Sequence, residues 1–168
     1  MAIIILRRLG ALLVFALLQA LVFGRIHLFG VATPLFFVYF VTQFERNYPK
    51  WGILLWSFAL GMIIDIFLNT PGLTATSLTL FAFAQPYYYE LFIPRDSADN
   101  LRPSMSTLGW VRYCYYIIPF VVLYCAVFFA LEFFNMADLL QWGFCVVGSA
   151  TLTLVLIFVF ETIKGDKK

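Results

Sequence analysis

The chain has 168 residues, of which 63% are hydrophobic and 12% are charged, and its formal net charge is +2. A soluble domain usually carries about 25% charged residues, so this composition excludes an ordinary soluble protein and indicates a polytopic membrane protein. The cysteines Cys114, Cys125 and Cys145 fall within apolar runs, at a spacing that matches no metal template. We therefore expect free thiols, no metal site and no cofactor.

The apolar runs predict six membrane-spanning helices, since a helix needs about 20 apolar residues to cross about 30 Å of hydrocarbon. The predicted architecture is all-α, with a single domain over residues 1–168 and spans at about 3–23, 26–44, 51–68, 73–93, 108–134 and 139–163. The second span contains Gly30 and Pro34, and only a short helix can follow the proline. We expect this span to be kinked, tilted or partly irregular, which is tolerated in a membrane only where other protein covers the backbone.

The distribution of basic residues predicts how the spans are oriented. With the N-terminus in the cytoplasm, Arg25 is the one basic residue on the outer side. The basic residues on the cytoplasmic side are Arg7, Arg8, Arg46, Lys50, Arg95, Arg102, Arg112, Lys164, Lys167 and Lys168. This asymmetry follows the positive-inside rule and predicts that both termini are cytoplasmic. Tyr87, Tyr88 and Tyr89 lie near the inner end of a span, as in an aromatic belt that contacts the lipid bilayer, so we expect no nucleic-acid partner.

One acidic residue, Asp65, lies inside an apolar segment just before a Pro71-Gly72 turn that joins the third and fourth spans. A carboxylate at the bilayer centre costs about 2.5–3.5 kcal/mol, so such a residue usually has a function. Asp65 lies close to the outer end of its span, roughly 5 Å below the boundary at about 1.5 Å per residue, which lowers this cost. Small and polar residues that recur every four positions share one helix face and indicate a helix-packing surface: Ser57, Gly61, Asp65 and Asn69.

The outer face is predicted to carry a polar cluster of Arg25, His27, Asp65, Asn69 and Glu132. In this cluster we expect Arg25 to pair with Asp65 or with Glu132, which lies close to the outer end of the fifth span. His27 has no visible nucleophile or metal-ligand companion. The sequence motifs of metalloproteases, intramembrane serine proteases and phosphatases are absent, so we expect no enzymatic activity.

Three roles are open for Asp65 at this point. It can accept hydrogen bonds from Thr74, Thr76 or Ser77 and so fix the hairpin between the two spans. It can bind a partner directly, or it can take part in proton or ion transport. A lone acid without a second membrane-embedded base makes a poor proton relay, which disfavours the transport role.

The size of the chain, its six predicted spans and the stretch Gly61–Leu73, with its Asp65 and its Pro71-Gly72 turn, resemble the rod shape-determining protein MreD family. Members are similar in having a glycine, an acid one turn later, and a Pro-Gly or Pro-x-Gly turn that opens the next span. Pro34 also fits this pattern, whereas Leu35 stands where many members carry an acid.

The resemblance implies an inner-membrane subunit of the machinery that elongates the bacterial cell wall and supports rod shape and the regulation of peptidoglycan synthesis. Its implied partners are MreC, a single-span protein whose larger part lies outside the membrane, the MreB filament, and RodA with its penicillin-binding transpeptidase. The family fold resembles the substrate-binding subunits of energy-coupling-factor vitamin transporters.

Two functions are therefore expected. The first is a non-catalytic scaffold that binds MreC, in which residues of the hairpin shape or form the contact surface: Gly61, Asp65, Asn69, Pro71 and Gly72. The alternative is the substrate-binding subunit of a small-molecule, vitamin-type transporter. That function requires an outward-facing pocket of about 300–1,000 Å³ with a few convergent polar groups.

Overall fold

The computed structural model describes residues 2–22, 33–93, 102–132 and 139–165. Over these ranges the chain is helical and contains no β-strand, which confirms the predicted all-α class. In chain order the helices are α1 (Ala2–Leu17), continued by a π-helical turn (Leu18–Val22), α2 (Val38–Thr42), α3 (Lys50–Leu68), α4 (Leu73–Glu90), α5 (Met105–Leu108), α6 (Trp110–Glu132) and α7 (Leu139–Gly165). The long helices form a bundle in which α1 contacts α3, α3 contacts α4, α4 contacts α6, and α6 contacts α7.

Three helices within the described ranges are long and apolar enough to cross a membrane: α3, α6 and the Leu140–Lys164 part of α7. The first helix contributes a shorter apolar stretch, Arg8–Leu21. Helix α4 is nearly as long as α3, but Thr74, Ser77 and Gln85 make it less apolar, and these three side chains are buried. The three apolar helices are consistent with a membrane protein.

The region predicted as the second span, 26–44, is not one regular helix where the structure describes it. Residues 26–32 lie outside the described ranges, residues 33–37 are non-helical, and α2 is only five residues long. Pro34 accounts for this difference, because its ring and its missing N–H prevent a helix from continuing through it. All residues from Pro34 to Thr42 are buried, and α2 contacts α1, α3, α4 and α6. The irregular backbone is therefore covered by protein.

Side chains of α7 and of the π-helical turn bind the backbone of this irregular segment. Ser149 Oγ accepts a hydrogen bond from the Thr33 N–H at 3.0 Å, and Thr153 Oγ1 accepts one from the Leu35 N–H at 2.9 Å. Gln19 Nε2 donates to the carbonyl of the intervening proline at 3.0 Å. Backbone groups that no helix satisfies thus find partners inside the bundle, as a low-dielectric interior requires.

Aromatic rings fill the space between the buried segment and the surrounding helices. The centre of the Tyr124 ring of α6 lies 5.1 Å from the centre of the Phe81 ring of α4 and 5.8 Å from that of Phe37, edge to face in both cases. The Tyr39 ring lies 5.5 Å from Phe160 of α7, also edge to face. This geometry is favoured by the ring quadrupoles. The contacts join the segment to α6 and α7, and α6 to α4.

The described basic side chains gather at one end of the bundle, which we call the basic end. There, Glu45 accepts a hydrogen bond from Arg102 Nε at 2.7 Å and lies 4.0 Å from Arg8, and the Lys50 ammonium lies 4.2 Å from the centre of the Tyr87 ring. The basic residues with described side chains are Arg8, Arg46, Lys50, Arg102, Arg112 and Lys164. At the opposite end, residues 69–72 join α3 to α4, and we call this the hairpin end.

Candidate functional site at the hairpin end

Asp65 is 4% exposed and binds the N-terminus of α4 from the neighbouring helix α3. Its Oδ1 accepts hydrogen bonds from the Thr74 N–H and from Thr70 Oγ1, both at 2.9 Å, and its Oδ2 accepts one from the Ala75 N–H at 2.9 Å. The first N–H groups of a helix have no partner within the helix, and the N-terminus carries a partial positive charge. The Asp65 carboxylate accepts hydrogen bonds from two of these N–H groups and places a negative charge beside the helix N-terminus. It therefore stabilises the hairpin.

Of the three roles open for Asp65, this geometry supports the structural one. Thr74 was among the expected donors, whereas Thr70 and Ala75 were not. Thr74 and Ala75 donate through their backbone N–H groups and not through side-chain hydroxyls. Thr76 Oγ1 donates instead to the Gly72 carbonyl at 2.6 Å, and Ser77 Oγ donates to the Thr74 carbonyl at 3.2 Å. The Thr76 hydroxyl thus bonds within the hairpin, whereas the Ser77 hydroxyl also lies within hydrogen-bond distance, 3.2 Å, of the Tyr124 hydroxyl of α6.

Gly61 allows α3 and α4 to approach closely enough for these hydrogen bonds. A Cβ atom added to Gly61 would lie 2.7 Å from the backbone nitrogen of Ala75. That separation is shorter than van der Waals contact, so any side chain at this position would push the two helices apart. Gly61 lies one helical turn before Asp65, and the glycine and the acid therefore act together at one crossing point.

The turn between α3 and α4 combines two residues with positive φ. Asn69 ends α3 with φ 56° and ψ 39°, and its N–H donates to the Asp65 carbonyl. Gly72 follows with φ 81° and ψ −5°, and the Leu73 N–H faces the Thr70 carbonyl at 3.4 Å. Proline at the second position and glycine at the third fit a type II turn. Asn69 and Pro71 are exposed at its tip.

The predicted outer polar cluster is described only in part. Arg25 and His27 lie outside the described residues. Asp65 is buried within the hairpin, whereas Asn69 is exposed at the turn. Glu132 is exposed at the end of α6 and borders the same cavity as the threonines bonded to Asp65. The structure therefore places both acids at the hairpin end, opposite the described basic side chains.

This cavity has a volume of about 150 Å³ and lies between the π-helical turn, the irregular segment, the hairpin and the end of α6. Its lining residues are Gln19, Thr33, Leu35, Phe37, Leu68, Thr70, Leu73, Thr74, Phe128 and Glu132. Gln19 Oε1 and Thr74 Oγ1 are buried and make no hydrogen bond within the part of the chain that the structure describes. Because an unsatisfied buried polar atom is costly, these two oxygens mark the cavity as a polar site.

Two features that the sequence did not predict hold the other parts of the bundle together. Ser149 and Thr153 of α7 bind the irregular segment, as described above. Glu161 of α7 is 3% exposed and accepts a hydrogen bond from the Tyr39 hydroxyl. The sequence shows an acid, Glu161, near the end of an apolar run, but it does not show which residue binds that acid, because this depends on the fold.

The three cysteines are free, and in the described ranges no group of three His, Cys, Asp or Glu residues could hold a metal ion.

Comparison of the chain with protein-family models, with curated proteins and with solved structures finds no match.

Proposed function

We propose that this chain is a non-catalytic inner-membrane scaffold of the bacterial cell-wall elongation machinery, similar to the MreD family that its Gly61–Leu73 stretch resembles. It binds MreC and supports rod shape and the regulation of peptidoglycan synthesis. RodA with its penicillin-binding transpeptidase and the MreB filament are further partners in this proposal. The proposal includes six membrane crossings with both termini in the cytoplasm, and a fold like that of energy-coupling-factor substrate-binding subunits.

The observation that carries the proposal is the preorganised tip of the α3–α4 hairpin. The Asp65 carboxylate accepts three hydrogen bonds within the hairpin, and these bonds hold the turn in one conformation. Asn69 and Pro71 are exposed at that turn. A rigid turn at a membrane boundary binds a partner with little loss of conformational freedom, which is a general route to affinity.

The course of the chain through the bundle supports the proposed topology. Arg8 of α1 lies near Glu45 at the basic end, whereas Gln19 borders the cavity at the hairpin end. Thr33 also borders that cavity, so residues 33–45 run back to the basic end, and α3, α4, α6 and α7 follow in alternating directions. These described segments support the proposal of six crossings, the second of which contains one short helix. The described basic side chains lie at the end that the positive-inside rule assigns to the cytoplasm.

The alternative, a vitamin-type transporter subunit, has less support. The cavity at the hairpin end is about 150 Å³, whereas pockets for drug-sized ligands usually measure about 300–1,000 Å³. Larger open depressions are lined by Leu91, Phe92, Ile93 and Arg112 near the basic end, and by residues of the exposed α6 surface around Trp110. Neither lies at the hairpin end, where an outward-facing substrate site is expected.

Co-purification with the MreC homologue from the native membrane tests the proposal. The variants Asn69→Gly and Pro71→Ala change the exposed tip, and glycine retains the positive φ that position 69 adopts. We expect each variant to reduce the recovery of MreC at least several-fold at an equal level of the folded chain. The control Leu55→Ala alters an exposed apolar side chain of the same helix, remote from the turn, and should leave the recovery unchanged. Absence of MreC from the wild-type preparation would contradict the proposal.

A further inference from the structure

The cavity at the hairpin end is lined by two buried polar atoms that no described residue satisfies. Gln19 is 1% exposed, and its Nε2 donates to the Pro34 carbonyl, whereas its Oε1 makes no hydrogen bond in the described ranges. Thr74 is also 1% exposed, and its N–H donates to Asp65, whereas its Oγ1 makes no hydrogen bond within the same ranges. Both side chains line one cavity of about 150 Å³. A buried polar atom without a partner is costly, so a small group that bonds to these atoms is favoured.

The two atoms differ in the hydrogen bonds that they can make. The free atom of Gln19 is its amide oxygen, because the amide nitrogen is needed to donate to the Pro34 carbonyl, and an amide oxygen only accepts. The Thr74 hydroxyl can both donate and accept. A primary amide or a hydroxyl matches this pair, because each of these groups can donate to Gln19 Oε1 and also bond with Thr74 Oγ1.

The surroundings of the cavity favour an uncharged group. The described basic side chains lie at the opposite end of the bundle, so none of them can pair with an anion here. The Asp65 carboxylate is used by three hydrogen bonds within the hairpin, and Glu132 is exposed and has an interaction of its own. A charged group would therefore lose its hydration without gaining an ion pair, which is strongly unfavourable. The other walls are largely apolar: Leu35, Phe37, Leu68, Leu73 and Phe128.

We infer that this cavity receives an uncharged side chain of the membrane partner, a primary amide or a hydroxyl, which donates to Gln19 Oε1 and bonds with Thr74 Oγ1. The inference rests on the proposed scaffold function, because it assigns the cavity to the same partner. The cavity is continuous with the proposed contact surface, since Thr70 and Leu73 line it and flank Pro71 at the exposed turn. A volume of about 150 Å³ suits one side chain and is too small for a drug-sized ligand.

Binding of small probes tests the chemistry of the cavity without any partner. The full chain in lipid nanodiscs is titrated by saturation-transfer NMR, with empty nanodiscs as the blank. The probe is isobutyramide, and three molecules of nearly the same shape are compared with it: a ketone without N–H donors (3-methyl-2-butanone), an anion (isobutyrate) and a cation (isobutyramidinium). We expect saturable binding of isobutyramide, at least fivefold tighter than that of each of the other three.

Three variants assign the binding to this cavity. Thr74→Val removes the free hydroxyl but keeps the N–H that is bonded to Asp65, and it should weaken isobutyramide binding at least fivefold. Leu68→Phe fills part of the cavity, leaves the hydrogen bonds of Asp65 in place and should weaken binding similarly. Ser57→Ala is the matched control, because it removes a buried hydroxyl of α3 that has no described partner and does not line the cavity, and it should leave binding unchanged.

Three results would overturn the inference. Absence of saturable isobutyramide binding would mean that the cavity holds only water. Equal or tighter binding of the ketone or of either ion would exclude an uncharged donor as the preferred group. Unchanged binding by folded Thr74→Val and Leu68→Phe chains would place the probe elsewhere on the protein.

Co-purification from the native membrane tests whether the partner supplies the group. Thr74→Val should reduce the recovery of MreC at least several-fold, whereas Ser57→Ala should not change it. If the wild-type chain recovers MreC and Thr74→Val recovers the same amount, the partner does not use the cavity and the inference fails, although the scaffold function stands. If the wild-type chain binds isobutyramide but recovers no MreC, the scaffold function is contradicted and the chemistry of the cavity is supported.

Discussion

Substitution of Asp65 by asparagine tests the stabilising role of the carboxylate, because the two side chains have nearly the same shape. The amide keeps one acceptor oxygen but replaces the other with an NH₂ group, which would oppose the N–H of Thr74 or Ala75. At least one buried backbone N–H then loses its partner, at a cost of about 1–3 kcal/mol. Loss of the negative charge at the N-terminus of α4 adds about 0.3–1 kcal/mol. We expect the free energy of unfolding to fall by about 1–4 kcal/mol in total.

Reversible unfolding in mixed detergent micelles, followed by tryptophan fluorescence, measures this difference. Asp65→Ala should destabilise the chain at least as much as Asp65→Asn, because it leaves both backbone N–H groups without an acceptor. Glu90→Gln provides a matched control: it removes an exposed carboxylate from the other end of α4 and should change stability by less than about 0.5 kcal/mol. If Asp65→Asn were as stable as this control, the hydrogen bonds to α4 would not hold the hairpin together.

Three other substitutions test the backbone geometry. Gly61→Ala should cost about 1–3 kcal/mol in the same assay, because its methyl group would overlap Ala75; a neutral effect would mean that the helices are further apart than described. Gly72→Ala should cost about 1 kcal/mol, since φ 81° is unfavourable for a residue with a Cβ atom, and a more stable variant would contradict the turn. Thr153→Val should cost about 1–3 kcal/mol and accelerate amide exchange at Leu35, whose N–H would lose its acceptor; unchanged exchange would refute this contact.

The hairpin could be predicted from the sequence because its determinants are local. Pro71 and Gly72 are typical of a turn, and Gly61 lies one helical turn before Asp65 on the same face. The expected role of Asp65 as a hydrogen-bond acceptor in the hairpin is also found in the structure. Of the expected donors, Thr74 binds Asp65, through its backbone N–H. Thr70 and Ala75 were not predicted as donors, because residue types do not reveal which backbone N–H groups a helix N-terminus offers.

The segment predicted as the second span was predictable only in its irregularity. Pro34 indicates that a regular helix is interrupted, and the structure has a five-residue helix after it. The hydroxyls that bind the described part of this segment come from Ser149 and Thr153, more than a hundred residues later in the chain. Such contacts depend on how the helices pack, and a single sequence carries no direct signal of that packing. The burial of Glu161 against Tyr39 has the same cause.

Site-specific crosslinking in the native membrane tests the proposed scaffold function most directly. A photo-reactive residue at Asn69, exposed at the tip of the hairpin, is compared with one at Leu123, exposed on α6. The proposed function predicts that the residue at Asn69 captures MreC and that the one at Leu123 does not. Equal capture at the two positions, or no capture of MreC at Asn69 by a correctly folded chain, would contradict the hairpin as the binding surface.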